Sequence, residues 1–249
     1  MQVIKYEDLA DFLASGKDFV VESGEQNGIG SSSLIIRKCG KTILIDRGIA
    51  FEGTGMDKLT TFPAGANLED IQIDVMIFTH VHADHTGLIV PTVLAHPEAR
   101  VFFSQKTLEE LKVVLSDALS VQRKTSKTAC SVGQPAPPPL FTEQDVATFL
   151  ALAENGSFQI VNTDEENEWV TFDDWPSWEF GFTFSGHMVG AFISLVKCPD
   201  GDGLVFSGDV SGHNQETTQG VKTLSESFLE MAKFRECRRI ILITEATNG

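Results

Sequence analysis

The run Thr79-His80-Val81-His82-Ala83-Asp84-His85-Thr86-Gly87 constrains this chain more than any other, because three imidazoles and a carboxylate fall within six consecutive positions. Imidazole nitrogen and carboxylate oxygen are the donors that zinc and similar divalent ions prefer. The run follows Val75-Met76-Ile77-Phe78, an apolar segment that reads as a buried strand, so the donors fall in the loop at that strand's carboxyl end. An incidental polar loop is the alternative, and the density of ligand types argues against it.

Other apolar strands end in residues of the same chemistry. Ser33 to Arg37 and Thr42 to Asp46 are β-rich runs separated by Lys38-Cys39-Gly40-Lys41, which reads as a hairpin delivering Asp46 to a strand end. The alternating segment Trp178 to Phe184 leads to His187. Ala191 to Lys197 and Gly203 to Phe206 flank the turn signal Pro199-Asp-Gly-Asp-Gly203, and the second of them leads to Ser207-Gly208-Asp209. Arg239 to Thr244 reads as a buried strand that ends at Glu245. A single site at the strand ends of a sheet requires this convergence.

Helical patterns separate the strands, which makes the chain α/β. Leu88 to Ala95 reads as a short helix that tolerates Pro91 in its first turn. Thr107-Leu-Glu-Glu110 has the pattern of a capping box opening a longer helix, with Leu108, Leu111, Leu115 and Leu119 on one face. Phe141 to Glu154 and Ser225 to Phe234 are further helices. Residues 49 to 70 read as a loop, the acidic run 164 to 168 as a solvated turn, and 122 to 140, which ends in Pro135-Ala-Pro-Pro-Pro139, as an exposed connection. Trp169, Trp175 and Trp178 are assigned to packing, with stacking on bases as the alternative, and His96 to a structural turn. His213 is a lone loop histidine, read as exposed, with replacement of a ligand or proton donation as the alternative.

At 249 residues and 42% hydrophobic content, the chain can bury a core without disulfides or structural metal, and one domain over residues 1–249 is the simplest reading. Its 19 basic and 35 acidic residues give a net charge of −16, which counts against a free-standing nucleic-acid binder. A nuclease stays open, because metal ions reverse the local sign at a site. Cys39, Cys130, Cys198 and Cys237 lack paired spacing, so a reducing cytoplasm is expected. The acidic first ten residues do not resemble a signal peptide, and no apolar stretch approaches the roughly 20 residues that cross a bilayer, so no membrane association is expected.

The HxHxDH pattern of residues 80–85 resembles the signature of the metallo-β-lactamase superfamily. Ile43-Leu44-Ile45-Asp46-Arg47-Gly48, Phe184-Ser185-Gly186-His187-Met188-Val189-Gly190 and Ser207-Gly208-Asp209 match that superfamily's further motifs in order. Gly30 to Ile36, His85-Thr86-Gly87-Leu88-Ile89, Ser207-Gly208-Asp209-Val210 and Thr244 to Gly249 are similar, more narrowly, to the β-CASP nucleases. The resemblance implies a four-layer αββα sandwich with a metal site at one edge. It implies that His80, His82 and His187 surround one ion with Asp209 as fourth ligand, and that Asp84 and His85 hold a second ion and share Asp209. Asp84 and Asp209 become the catalytic carboxylates, while Asp46 and Glu245 hold ligand imidazoles in one tautomer. Up to two zinc ions are expected, with manganese or iron at the oxygen-rich second position.

The implied activity is phosphodiester hydrolysis, most readily of RNA, by in-line attack of a metal-activated hydroxide. Hydrolysis of a small ester, thioester, lactone or cyclic nucleotide is the alternative, as is a catalytically incomplete metal-binding domain; protein partners are not indicated. Two departures bear on completeness. Asn248 stands where the family usually has tyrosine, and the family carries two more histidines and an inserted domain beyond this point, whereas the last histidine here is His213. An amino-terminal part of such an enzyme, or a shortened relative, is the expectation.

Overall fold

A computed structural model describes residues 2–3, 11, 14–22, 32–49, 71–162, 169–214, 220 and 236–244. The readings at 50–70, 164–168, 225–234 and Glu245 lie outside the described residues. The chain separates into two compact units, Met1–Phe102 with Leu108–Gln159, and Phe103–Thr107 with Ile160–Gly249.

Strands β1 (Gln2–Val3), β2 (Phe19–Glu22), β3 (Leu34–Lys38), β4 (Lys41–Ile45), β5 (Val75–Ile77), β6 (Arg100–Ser104) and β7 (Gln159–Val161) follow one another across a seven-stranded sheet. The β3–β4 hairpin forms because Cys39 and Gly40 take φ of 46° and 78°, the positive values a two-residue turn needs to match strand twist. Asp18 braces that turn, accepting from Cys39 N at 3.0 Å and from the buried Lys38 Nζ at 2.9 Å. Strands β4, β5 and β6 run parallel, so the segments leaving their carboxyl ends emerge at one edge of the sheet. Ile43, Leu44, Val75, Met76, Ile77 and Phe102 are wholly buried, as expected of parallel strands whose apolar side chains run without alternation.

Four helices are described: α1 (Ala83–Thr86), α2 (Ile89–Ala95), α3 (Gln105–Ser131) and α4 (Glu143–Glu154). Pro91 sits in the first turn of α2, where its missing N–H costs nothing, and His96 ends that helix with its N–H on Val93 O. Helix α3 opens at Ser104, whose Oγ accepts from Thr107 N at 3.0 Å. Thr107 is therefore inside the helix and does not cap it; the earlier hydroxyl captures the orphan N–H. Leu108, Leu111 and Leu115 are buried on one face as the spacing requires, while Leu119 is half-buried.

Helix α3 also runs on through Ser131, so the first half of the stretch expected to be an exposed connection is helical and only 132–140 is not. Lys124 to Thr128 is a solvated helix face, and no glycine or proline interrupts it before Gly133. Helix α4 begins with a capping box in which Thr142 and Asp145 bond each other's backbone N–H.

The second sheet orders β12 (Arg239–Ile243), β11 (Asp202–Phe206), β10 (Phe192–Lys197), β9 (Trp175–Phe184) and β8 (Trp169–Phe172). Strand β12 pairs parallel to β11 but is not the buried strand its composition implies: Ile240 and Leu242 are 46% and 49% exposed. It is the last strand of the sheet's order, where apolar side chains on one face need not be covered. Trp175 and Trp178 are buried and stack among Phe172 and Phe180, and Trp169 packs against Ile193, Leu195 and Val205, so the tryptophans serve packing. All four cysteines are thiols. Among the described residues, no helix is long and apolar enough to cross a membrane.

Candidate metal centre

In the first unit, the parallel pairing of β4 with β5 carries two loops to the same sheet edge. Asp46 N donates to Ile77 O at 2.9 Å as β4 ends, which sets the Asp46 side chain beside the segment leaving β5. Asp46 takes φ of 54°, a left-handed conformation that aspartate tolerates better than most residues. Its carboxylate is 1% exposed and accepts three hydrogen bonds: from Thr79 N at 2.8 Å, from Thr79 Oγ1 at 2.8 Å and from His85 Nδ1 at 2.7 Å. With Nδ1 donating to this carboxylate, His85 presents Nε2 as its unprotonated atom, and Asp84 Oδ2 stands 3.9 Å from it.

His80 and His82 alternate along extended chain as their spacing predicts. His80 Nε2 and His82 Nδ1 face each other at 3.0 Å, with the rings edge-on at 81°. Two nitrogens bound to one zinc at about 2.0–2.1 Å in tetrahedral geometry stand roughly 3.3 Å apart, so this pair needs little movement to share an ion. His80 and His85 are buried, and His82 is exposed.

The cluster is locked from behind by backbone bonds. Arg47 N donates to His85 O at 2.7 Å, Ile49 N to Ala83 O at 3.0 Å, Leu88 N to Arg47 O at 2.9 Å and Ser32 N to Asp84 O at 2.7 Å. Gly48 lies so close to this loop that a Cβ there would fall 1.6 Å from Asp84 O. Thr86 Oγ1 donates to Val81 O and His82 O, which closes the turn that presents the donors.

In the second unit, the antiparallel β9–β10 pair and the parallel β11–β12 pair bring two more loops to one sheet edge. Ser211 N donates to Ser185 O at 3.2 Å, tying the loop after β11 to the loop after β9. Gly186, Gly190 and Gly208 turn these loops with φ of 76°, 83° and 51°. His187 Nε2 and Asp209 Oδ2 lie 3.4 Å apart, both half-buried. Ser207 Oγ reaches Thr244 Oγ1 at 3.1 Å, which places the end of β12 beside the Asp209 loop.

Each unit therefore assembles part of the expected site: His80, His82, Asp84 and His85, with Asp46 bonded behind His85, in one, and His187 and Asp209 in the other. The nitrogen-rich, partly exposed character of these donors fits a divalent ion of borderline softness. His213 is exposed, with its N–H 3.4 Å from Ser211 Oγ. Sequence reasoning missed Thr79, which touches both Asp46 and His80, and gave no role to Gly48. A hydroxyl residue directly before the first histidine was the available signal for Thr79.

A family model described as metallo-beta-lactamase superfamily matches residues 27–111. Over 234 residues the chain is 27% identical to "Endoribonuclease YSH1" of Gibberella zeae and 29% identical to "Endoribonuclease ysh1" of Aspergillus fumigatus. These alignments cover 91% of this chain and 23% and 22% of those proteins. "Cleavage and polyadenylation specificity factor 73" of Drosophila melanogaster is 25% identical over 228 residues, 91% of this chain and 28% of that protein. The chain thus spans about a quarter of the length of the curated relatives it matches.

Proposed function

We propose that the protein, which matches the metallo-β-lactamase superfamily model over residues 27–111 and resembles β-CASP nucleases, is a metal-dependent hydrolase of RNA phosphodiester bonds. The observation that carries the reading is the facing pair His80 Nε2 and His82 Nδ1, set on a loop whose third histidine is held by a buried carboxylate. The endoribonuclease relatives support RNA as the substrate class.

In this reading, His80, His82, His187 and Asp209 would hold one zinc ion, and Asp84 and His85 together with Asp209 would hold a second, for which manganese or iron would also fit. Bound divalent ions acidify water and stabilise charge developing on a phosphoryl oxygen. The protein's own contribution is positional. Asp46 holds the His85 ring with Nε2 outward, the Thr86 hydroxyl fixes the turn, and Ser207 fixes the strand end before Asp209. Asp84 and Asp209, both partly open to solvent, are the carboxylates available to take a proton from water. Glu245 follows Thr244 directly in sequence and is assigned to orienting a ligand imidazole. The scattered thiols suit a cytoplasmic protein.

The net charge of −16 favours a second reading, hydrolysis of a small ester, thioester, lactone or cyclic nucleotide, since an acidic surface repels polyanions. One experiment separates the readings. The full chain and a His82→Ala, His187→Ala variant are purified without chelator, metals are counted by elemental analysis, and both are assayed on end-labelled single-stranded RNA and on a nitrophenyl ester. About two ions per chain and RNA cleavage, both lost in the variant, support the proposal. Metal with ester turnover alone overturns the RNA substrate. Metal without turnover identifies a binding domain, and a chain that binds no metal overturns the reading entirely.

A further inference from the structure

We propose that Thr79 is a positioning residue that fixes the tautomer of His80, so that the single buried carboxylate of Asp46 sets two imidazoles at once. The inference rests on the metal-site reading only for its consequence; the hydrogen-bond logic lies wholly among residues 46 to 85. Asp46, Thr79 and His80 are each 1% exposed, so water does not compete for these bonds.

A threonine hydroxyl has one proton to give, and an ionised carboxylate only accepts. Two acceptors compete for that proton: Asp46 Oδ2 at 2.8 Å and His80 Nδ1 at 3.1 Å. The carboxylate wins, because its bond is shorter and charge-assisted, and because Thr79 N already holds Asp46 Oδ1 at 2.8 Å, closing a two-point clamp. Thr79 Oγ1 is then left with lone pairs towards His80, so Nδ1 must carry the ring proton to complete the third bond. The neutral ring consequently presents an unprotonated Nε2, the atom that faces His82.

The opposite arrangement, with the hydroxyl turned to His80, would place the proton on Nε2 and cap the very atom a metal needs. Asp46 Oδ2 meanwhile accepts directly from His85 Nδ1 at 2.7 Å. One carboxylate thus directs both rings, His85 by contact and His80 through Thr79, and Nε2 is the outward atom in each.

The test uses the full chain labelled with 15N at histidine, stripped of metal with a chelator and held near pH 8, where imidazole is neutral. Long-range 1H–15N correlation spectra distinguish protonated from unprotonated ring nitrogens. His80 is expected to show a protonated Nδ1 in the parent and in Thr79→Ser, which keeps the hydroxyl. In Thr79→Val, nearly the same shape without the hydroxyl, His80 is expected to shift towards the Nε2-protonated form. Zinc affinity, read by competition with a chromophoric chelator, should fall about 10–100-fold in Thr79→Val and recover in Thr79→Ser.

A parent His80 protonated at Nε2 overturns the proposal, as does a Thr79→Val variant unchanged in both tautomer and affinity. If Thr79→Val fails to fold, the parent spectrum still decides. A parent with the expected tautomer that binds no zinc overturns the metal-site reading and leaves the relay intact.

Discussion

Asp46 and His85, 39 residues apart, are joined by a 2.7 Å bond from the imidazole Nδ1 to a carboxylate that is itself 1% exposed. The same carboxylate satisfies the N–H and hydroxyl of Thr79, so it closes three donors that would otherwise be buried without partners. Asp46→Asn keeps one accepting oxygen and turns an NH2 group towards at least one of those donors. The expected cost is about 2 kcal/mol of stability, the range for a buried polar group left unsatisfied. Divalent metal affinity should fall about 10–100-fold as the ring orientation loosens. Urea denaturation of the metal-free chain reads the first and chelator competition the second; loss of stability without loss of affinity would confine Asp46 to a structural role.

Gly48 is where the chain after β4 passes closest to the histidine loop. An alanine Cβ there would lie 1.6 Å from Asp84 O and 2.0 Å from Asp84 C, and a backbone cannot step aside as a flexible side chain can. Gly48→Ala should cost about 3 kcal/mol, the upper range for overpacking, and should weaken metal binding because the displaced segment carries Asp84 and His85. Gly133→Ala is the control: at φ of 73° with nothing within 4 Å of its Cβ, it carries only the left-handed backbone cost of about 1 kcal/mol. Thermal unfolding of the two variants side by side gives the comparison, and equal losses would refute the close-approach argument.

The donors were legible because each lies at the end of an apolar run whose strand character is local. Val75 to Phe78 announces where His80 to His85 will sit, and Thr42 to Ile45 does the same for Asp46. Thr79 and Gly48 were not legible in their roles, because these depend on partners 33 and 36 residues away that sequence spacing does not reveal. The end of α3 was misread for a different reason: Lys124 to Thr128 has the composition of a loop, yet a helix face turned to water has that composition too. Ser104 and Thr107 are both capping residues three apart, and only the path of the chain decides which hydroxyl meets the first free N–H. Exposure of Ile240 and Leu242 reflects the place of β12 in the strand order, which no local pattern encodes.

The start of α4 supplies a pH-dependent test. Asp145 accepts from Thr142 N and Thr142 Oγ1, both at 2.7 Å, and these bonds hold its carboxyl below the ordinary value of 3.8. A carboxyl whose folded value is depressed contributes stability that is present above the unfolded value and is lost as pH falls through the folded one. Thr142→Ala should therefore destabilise the chain at neutral pH, as the loss of an N-cap does. The gap between variant and parent should narrow below pH 3.8, because the parent then loses the carboxylate half of its capping box. Denaturant titrations at neutral and acid pH measure it, and a gap that stays constant would show that the carboxylate adds nothing to the cap.

Asp202, at the start of β11, is 0% exposed and holds Arg238 Nη2 at 3.0 Å and Arg239 Nη2 at 2.5 Å, whereas the two arginine side chains are 67% and 51% exposed. The asymmetry decides which partner matters more to lose. Without the carboxylate, the guanidinium groups turn to water at little cost, so Asp202→Asn should lose about 1 kcal/mol, in the range for exposed pairs. Without both arginines, a buried charge is left uncompensated, and Arg238→Ala with Arg239→Ala should lose about 3 kcal/mol. Since these residues pin β12 to β11, the double variant should also speed amide exchange at Leu204 and Val205, the centre of the β11–β12 register. Equilibrium denaturation ranks the variants, and a double variant no less stable than Asp202→Asn would mean that the Asp202 carboxylate is solvated despite its burial.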